Sequence, residues 1–272
     1  MKFLFLTLIL STSAWAQTLC DANYATLPVQ TGGRVKPLLV AADETMRFIT
    51  GKTKPFEEDS VLSFCRLSFE GMGLPSNLDL PVKIEHVDAK KLVGIAEGES
   101  TLLLSKLAPQ TETLRTEWQK RKENDAYKKE LSKILGRLQV AEELKRGVIW
   151  TLPANVDGKT VWQTLPEFVR EDKIAALKTQ TNEPIAKLLA DTREEFIKRE
   201  SDHFMLEYRY YRMNPFLWAM LLGVVSLAVV FTVKNLKVAV SFSVVCIVIQ
   251  LAGMILRIFI SGRAPITNMY ET

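Results

Sequence analysis

Two uncharged apolar runs near the end of the sequence constrain this chain more than any other feature. Residues 215–233 and residues 238–256 each extend for 19 residues without an Asp, Glu, Lys or Arg. A helix of roughly 20 apolar residues is long enough to cross the hydrocarbon core of a bilayer. Only residues 234–237 separate the two runs. The sequence therefore predicts a transmembrane hairpin, with helices at 214–233 and 238–260.

The first sixteen residues have the pattern of a secretory signal peptide. Lys2 precedes an apolar run at residues 3–10, and Ala14, Trp15 and Ala16 form a small-x-small ending. An apolar run of this length is too short to span a bilayer. We therefore predict a signal peptide at 1–16 and an exported domain at 17–213.

Export fixes the expected topology of the hairpin. If residues 17–213 lie outside, the connection at 234–237 is cytoplasmic and the tail at 261–272 is again external. Lys234 and Lys237 agree with the positive-inside rule, but Arg209 and Arg212 balance them on the other flank. The signal peptide, rather than the loop charge, therefore decides the predicted orientation. Arg257 is expected near the outer boundary, where its side chain can snorkel.

The exported domain is predicted to be mixed α/β and mostly helical. Its short extended pieces flank a turn within residues 29–35 and recur at 81–86, at 148–152 and after an Asp157-Gly158 turn. Helical spacing of apolar residues predicts helices at 40–50, ending at Gly51, and at 111–145. A last helix is predicted from Pro184 to the tyrosines around Tyr211, continuing into the first span. The expected fold class is thus a mainly α integral membrane protein.

Motifs for autonomous enzyme chemistry are absent from the sequence. It contains no GxSxG, HExxH, phosphate-binding loop, dinucleotide-binding glycine set or CxxCH. Its two histidines, His86 and His203, lie far apart in sequence, and an ordinary surface or half-buried imidazole is the favoured interpretation of each, with a ligand role as the alternative. A net charge of +4 without a basic stripe gives no case for nucleic acid binding. No catalytic residue or metal ligand is predicted.

The expected compartment of each cysteine indicates whether it is oxidised or reduced. Cys20 and Cys65 would lie in an oxidising compartment, where a disulfide between them is the favoured interpretation. A thiol-handling role is the alternative, although such roles usually use a CxxC pair and the sequence has none. Cys246 falls within the second apolar run and is expected to be a small apolar helix residue.

The segment after the second apolar run carries a resemblance to a known family. Residues 257–271 read RIFISGRAPITNMYE, which resembles the membrane haem-handling subunit of system II cytochrome c biogenesis, the CcsA/ResC family. Residues 33–38 with 50–52, 81–94 and 211–216 resemble the exported N-terminal extension of some bacterial members. The resemblance implies a bacterial inner-membrane protein with a periplasmic main domain. It also implies a role in delivering haem across the membrane for attachment to apocytochrome c.

The chain resembles only the N-terminal half of that machinery. Family members continue through further membrane helices and carry a tryptophan-rich WWD motif flanked by haem-ligating histidines, whereas the five tryptophans here are scattered singly. The expected partners are therefore the remaining tryptophan-rich half of the subunit, a ResB-type protein and apocytochrome c, besides membrane lipid. Haem is expected to be handled by the complex, and this chain alone is not expected to complete haem ligation.

The resemblance implies that the external tail of this chain contains a functional segment. The matching positions are Gly262, Arg263, Pro265, Asn268, Met269, Tyr270 and Glu271. Arg263 could pair with a haem propionate or an acidic group of a partner, and a rigid loop that positions the next helix is the alternative. Arg34 and Lys36 form a second candidate contact turn, for which a solvated turn is the alternative interpretation.

Two other classes of function compete with haem delivery. A membrane-anchored scaffold that assists the haem-handling complex without binding haem is the main alternative, because the known ligands are missing. A sensor needs a cytoplasmic output domain, and only four residues lie between the two apolar runs. The sequence therefore disfavours a sensor and leaves the scaffold open.

Overall fold

The computed structural model describes residues 20–74, 76–96, 98–123, 125–169, 183–232 and 236–261, with the backbone alone at 183–186 and 261. The chain divides into two compact units, the first ending at Ser201 and the second beginning at Asp202. The predicted signal peptide lies outside the described residues, and so does the predicted external segment after Ser261.

The first unit combines short helices with small antiparallel strand pairs, as the mixed α/β prediction requires. Its strands are β1 (Pro28–Thr31), β2 (Arg34–Pro37), β3 (Pro81–Lys83), β4 (Thr101–Leu103), β5 (Thr151–Val156) and β6 (Lys159–Thr164). Its helices are α1 (Leu38–Thr50), α2 (Ser60–Ser68), α3 (Val87–Val93), α4 (Leu104–Leu107), α5 (Thr111–Gln119), α6 (Ala126–Lys145), α7 (Leu165–Phe168) and α8 (Glu183–Arg199). Short 3-10 helices occupy Ala22–Thr26, Glu70–Met72 and Ala108–Gln110. Strand pairing joins β1 to β2, β3 to β4 and β5 to β6.

The β1–β2 hairpin leads directly into α1. Gly32 and Gly33 both have positive φ, 60° and 77°, which is the conformation that a tight hairpin turn needs and that glycine adopts without strain. The register pairs Thr31 with Arg34 and Pro28 with Pro37. Gly51, with φ 78°, terminates α1 in a left-handed C-terminal position. The predicted helix ending at Gly51 is confirmed.

The core of the first unit forms where α1, α2 and α6 pack together. Phe64 and Trp150 are fully buried, with ring centroids 5.6 Å apart. The indole Nε1–H of Trp150 donates to Ser68 Oγ at 2.5 Å. This bond satisfies the one polar atom of a side chain that otherwise contributes apolar surface to the core.

Three boundaries predicted from the sequence are wrong. The helix expected over 111–145 is two helices, α5 and α6, because the intervening residues are charged and Asp125 caps a new helix by accepting the Tyr127 N–H at 2.9 Å. The strand expected at 81–86 ends at Lys83, since His86 caps α3. The strand expected at 148–152 begins at Thr151, after Trp150 has entered the core.

The second unit contains α9 (Phe204–Met213), α10 (Pro215–Thr232) and α11 (Leu236–Ser261). Two helical stretches, Phe204–Thr232 and Leu236–Ile260, are long and apolar enough to cross a membrane by length and composition. The single residue between α9 and α10 is Asn214, with φ 43°, and Pro215 follows it. Since proline suits the first turn of a helix, the chain resumes its helical path at once.

The helix predicted from Pro184 through the tyrosine cluster is also interrupted. It ends at Arg199, and α9 starts at Phe204 within the second unit. The intervening Ser201 and Asp202 belong to residue types whose side chains compete for backbone hydrogen bonds and favour helix ends. The apolar spacing that suggested one helix is therefore shared between α8 and α9.

Candidate functional site

The two basic residues of the predicted contact turn differ in their surroundings. Lys36 is 8% exposed, and its Nζ lies 2.6 Å from Glu44 Oε2 of α1. Arg34 begins β2 and is half-buried. Lys36 therefore ties the hairpin to the helix that follows it. The external segment, from Gly262 to Glu271, lies outside the described residues.

Cys20 and Cys65 form a disulfide with Cα atoms 5.8 Å apart. Both residues are buried, at 5% and 0% exposure. The bond joins the start of the described chain to α2 and encloses the β1–β2 hairpin and α1. Because neither sulfur is accessible, the arrangement suits a structural crosslink better than thiol exchange.

His86 lies in a cluster of aromatic and charged side chains at the start of α3. Its Nδ1 accepts the Asp88 backbone N–H at 3.2 Å, and its ring centroid lies 5.2 Å from that of Tyr127. The Arg121 guanidinium stands over the Tyr127 ring at 4.9 Å. Burial raises the pKa of Tyr127, so its phenol keeps its proton at neutral pH.

The hydrogen bond of His86 limits what its imidazole can do. When Nδ1 accepts a hydrogen bond, the neutral ring carries its proton on Nε2. Coordination of a metal through Nε2 would move that proton to Nδ1 and break the helix cap. Among the described residues, no three His, Cys, Asp or Glu side chains are placed to hold a metal ion. His86 is thus best explained as a capping residue, and His203, which precedes α9, lies in the other unit.

A buried ion pair on α6 was missed by the sequence interpretation. Glu130 and Arg137 have side chains 7% and 9% exposed, and Arg137 Nη1 lies 3.6 Å from Glu130 Oε1. Arg137 also donates to the carbonyl oxygens of Phe48 and Lys83, at 3.0 Å and 2.7 Å, and Glu130 accepts the Glu85 N–H at 2.8 Å. The pair joins α6 to the end of α1 and to β3, which is a structural role.

A second, more exposed ion pair lies beside this buried pair. Lys83 Nζ lies 2.5 Å from Glu85 Oε1. The hydrogen bond from Lys83, assisted by the positive charges of Arg137 and Lys133, lowers the pKa of the Glu85 carboxyl. Because this carboxyl already has a close cationic partner, it is a poor candidate for a general base.

The helices of the second unit make polar contacts along their shared seam. Ser226 of α10 donates to the Ala239 carbonyl at 2.8 Å and lies 2.8 Å from Ser243 Oγ. Cys246 Sγ donates to the Ala219 carbonyl at 3.0 Å. Ala219 and Ala239 are buried, at 0% and 2% exposure. Small residues therefore let α10 and α11 approach closely. Cys246, predicted to be a small apolar helix residue, is a small residue in this seam, but its thiol makes a polar contact.

One signal for the missed features was present in the sequence. Glu130 and Arg137 are seven residues apart, so they fall on one helical face. What the sequence could not supply is the opposing surface that decides whether such a set is buried.

Comparison with protein-family models gives no match for this chain, and comparison with curated proteins gives none either.

Proposed function

We propose that the chain is a membrane component of c-type cytochrome maturation, acting in a complex that delivers haem across the membrane to apocytochrome c. The observation that carries the proposal is the segment 257–271, which resembles the CcsA/ResC family and begins within the last turn of the second long apolar helix. Haem is the cargo of the complex, and no described residue is assigned as a haem ligand.

Three features of the chain support this placement. Two helices are long and apolar enough to span a bilayer, and three residues separate their described ends. A disulfide within the first unit fits an oxidising compartment such as the periplasm. The signal-like sequence at 1–16 provides a route to that compartment. Together they favour an inner-membrane protein with a periplasmic main domain.

The residues present suggest which steps this chain performs and which its partners perform. Arg263 would bind a propionate of the passing haem, since guanidinium forms strong paired hydrogen bonds with carboxylates. The turn-forming Gly262 and Pro265 would fix the position of that arginine outside the membrane. The tryptophan-rich half of the subunit, a ResB-type partner and apocytochrome c would supply the remaining ligands and the thiols.

The proposal is tested by complementation. A strain lacking this gene should lose covalently bound haem in its c-type cytochromes, measured by haem staining after denaturing electrophoresis. The native sequence should restore them. Arg263→Ala should restore much less, Arg263→Lys an intermediate amount, and the matched control Arg209→Ala should behave as the native protein. Full maturation with Arg263→Ala would remove the role proposed for that arginine, and normal cytochromes in the deletion strain would remove the proposal itself.

A scaffold function is the second candidate, favoured by the sequence itself, in which the five tryptophans are scattered singly and form no WWD motif of the kind that the family uses with its haem-ligating histidines. The two candidates differ in haem content. A direct haem handler, purified in detergent without partners, should show a Soret band that depends on residues 262–271. A scaffold should show none, while its deletion still reduces cytochrome maturation.

A further inference from the structure

Polar residues recur every seven positions along α11. Ser243, Gln250 and Arg257 follow this spacing in a helix whose remaining central residues are mostly apolar. We name these three residues the polar stripe. A seven-residue repeat keeps side chains on one face of a helix that packs against a neighbour with a left-handed twist.

The stripe begins at the seam with α10 and continues beyond it. Ser243 is bonded to Ser226 of α10, as described above. Gln250 and Arg257 are exposed. The seam itself continues instead through Cys246 and Gly253, whose positions adjoin Ala219 and Pro215. Gln250 and Arg257 therefore flank an interface that already exists.

Gln250 is incompletely satisfied by the described residues. Its amide Nε2 donates to Cys246 Sγ at 3.7 Å, a weak acceptor, and its amide oxygen accepts no hydrogen bond from any described group. Ten residues separate it from Ser261, a distance of about 16 Å along the helix axis, so the short side chain cannot reach the end of the span. An amide left without partners in hydrocarbon is costly.

Arg257 is likewise without an ion pair in the part of the chain that the structure describes. It is close enough to Tyr210 to interact with it electrostatically, but tyrosine supplies no negative charge at neutral pH. The face thus presents a cation near one end of the helix and an amide two turns deeper.

We infer that the face bearing Gln250 and Arg257 binds a transmembrane helix of another protein, which carries a carboxylate level with Arg257 and a hydrogen-bonding side chain level with Gln250. This inference rests on the proposed membrane insertion of the hairpin and not on haem chemistry. A second copy of the chain fits less well, because parallel copies would bring two Arg257 side chains together at one depth. Lipid headgroups reach Arg257 but not Gln250.

The test uses the full chain, labelled with a fluorescence donor at its C-terminus and reconstituted in phosphatidylcholine vesicles. The probe is an acceptor-labelled synthetic transmembrane peptide of leucines, with Glu near its outer end and Asn seven residues deeper. An all-leucine peptide is the reference. Polar contacts between membrane helices each contribute roughly 0.6–1.7 kcal/mol, so two contacts give an expected preference of about tenfold for the Glu/Asn peptide.

Variants decide whether this preference comes from the proposed face. Gln250→Leu and Arg257→Gln should each reduce it about threefold, whereas Val248→Leu, on an exposed apolar part of the same helix, should leave it unchanged. Equal association of both peptides with the native chain overturns the inference. Energy transfer between labelled copies of the chain, abolished by Gln250→Leu, would overturn it in favour of a second copy.

The result of the peptide experiment can be distinguished from the result of the cytochrome maturation experiment. Carbonate extraction of the vesicles checks that the hairpin is inserted, which is the only premise that the two proposals share. A lost peptide preference in an inserted chain that still supports cytochrome maturation would remove the docking face alone. A retained preference in a chain with no effect on maturation would remove the haem proposal alone.

Discussion

Arg137 connects three parts of the first unit through one guanidinium. It donates to carbonyl oxygens at the end of α1 and in β3, and it pairs with the buried Glu130. Arg137→Met should lower the free energy of unfolding by about 3–5 kcal/mol, because a buried carboxylate is left without its partner. Denaturant unfolding of the full chain in detergent, followed by near-ultraviolet circular dichroism, measures this change.

The matched control removes both charges. Glu130→Gln with Arg137→Met should recover part of the loss, since the buried charge is gone and the amide still accepts the Glu85 N–H. Equal destabilisation by the single and the double variant would show that the carbonyl contacts of Arg137, rather than the ion pair, account for its effect.

Tyr24 should give the first unit an alkaline limit. Burial, assisted by Asp21, raises the pKa of Tyr24 from 10.0 to about 12. The unfolded state therefore loses this proton first, and the stability that depends on the neutral phenol falls as pH rises from 10 towards 12, by roughly 2–3 kcal/mol. Unfolding measured between pH 8 and pH 12 should show a smaller decline for Tyr24→Phe.

The same substitution is informative at neutral pH. The Tyr24 hydroxyl is buried and has no hydrogen-bond partner among the residues that the structure describes. Its removal should be neutral or stabilising by up to about 1 kcal/mol, because no bond is lost. A clear destabilisation at pH 7 by Tyr24→Phe would mean that the hydroxyl has an unseen partner such as water.

The disulfide acts at the scale of elements by closing a long loop over β1, β2 and α1. Cys20 and Cys65 are 45 residues apart, which corresponds to about 4 kcal/mol in the chain-entropy account. Cys20→Ser with Cys65→Ser should lower the unfolding free energy by that order. Cys246→Ser is the matched control, since it removes a thiol outside the loop. A similar effect of both changes on the first unit would contradict this explanation.

Elements with strong local signals were predicted correctly. The turn at Gly32 and Gly33 and the end of α1 at Gly51 depend on backbone conformations that glycine favours locally. The split between α5 and α6 was missed because helical spacing continues on both sides of it. There the N-cap at Asp125 overrides the longer pattern. Periodicity thus identifies helices more reliably than it places their ends.

The candidate site was less predictable than the fold. Lys36 was assigned to a contact turn from its position, and its ammonium pairs with Glu44 of α1, the helix that follows the hairpin. His86 caps α3 because its Nδ1 accepts a hydrogen bond from the Asp88 backbone N–H. Such roles depend on which side chains face each other in three dimensions, and a pattern along one chain does not contain that information.

At the scale of the whole molecule, the two proposed membrane crossings would place both flanks of the hairpin on one side. Lys198 and Lys237 are exposed, before the first span and at the start of the second. In a Cys246→Ser background, Lys198→Cys should react with an impermeant maleimide in intact spheroplasts, and Lys237→Cys should react at least tenfold less until the membrane is permeabilised.

This prediction is a strict one because the charges near the hairpin do not favour either orientation. Arg209, Arg212 and Arg257 lie on the flank expected outside, against Lys234 and Lys237 in and beside the connection. On the proposed topology, export of the first unit must therefore determine the orientation. Replacing residues 1–16 by a short polar leader should abolish labelling of Lys198→Cys in intact spheroplasts. If labelling persists, information within the hairpin itself orients the chain, and Arg209, Arg212 and Arg257 face the outside for a reason other than export.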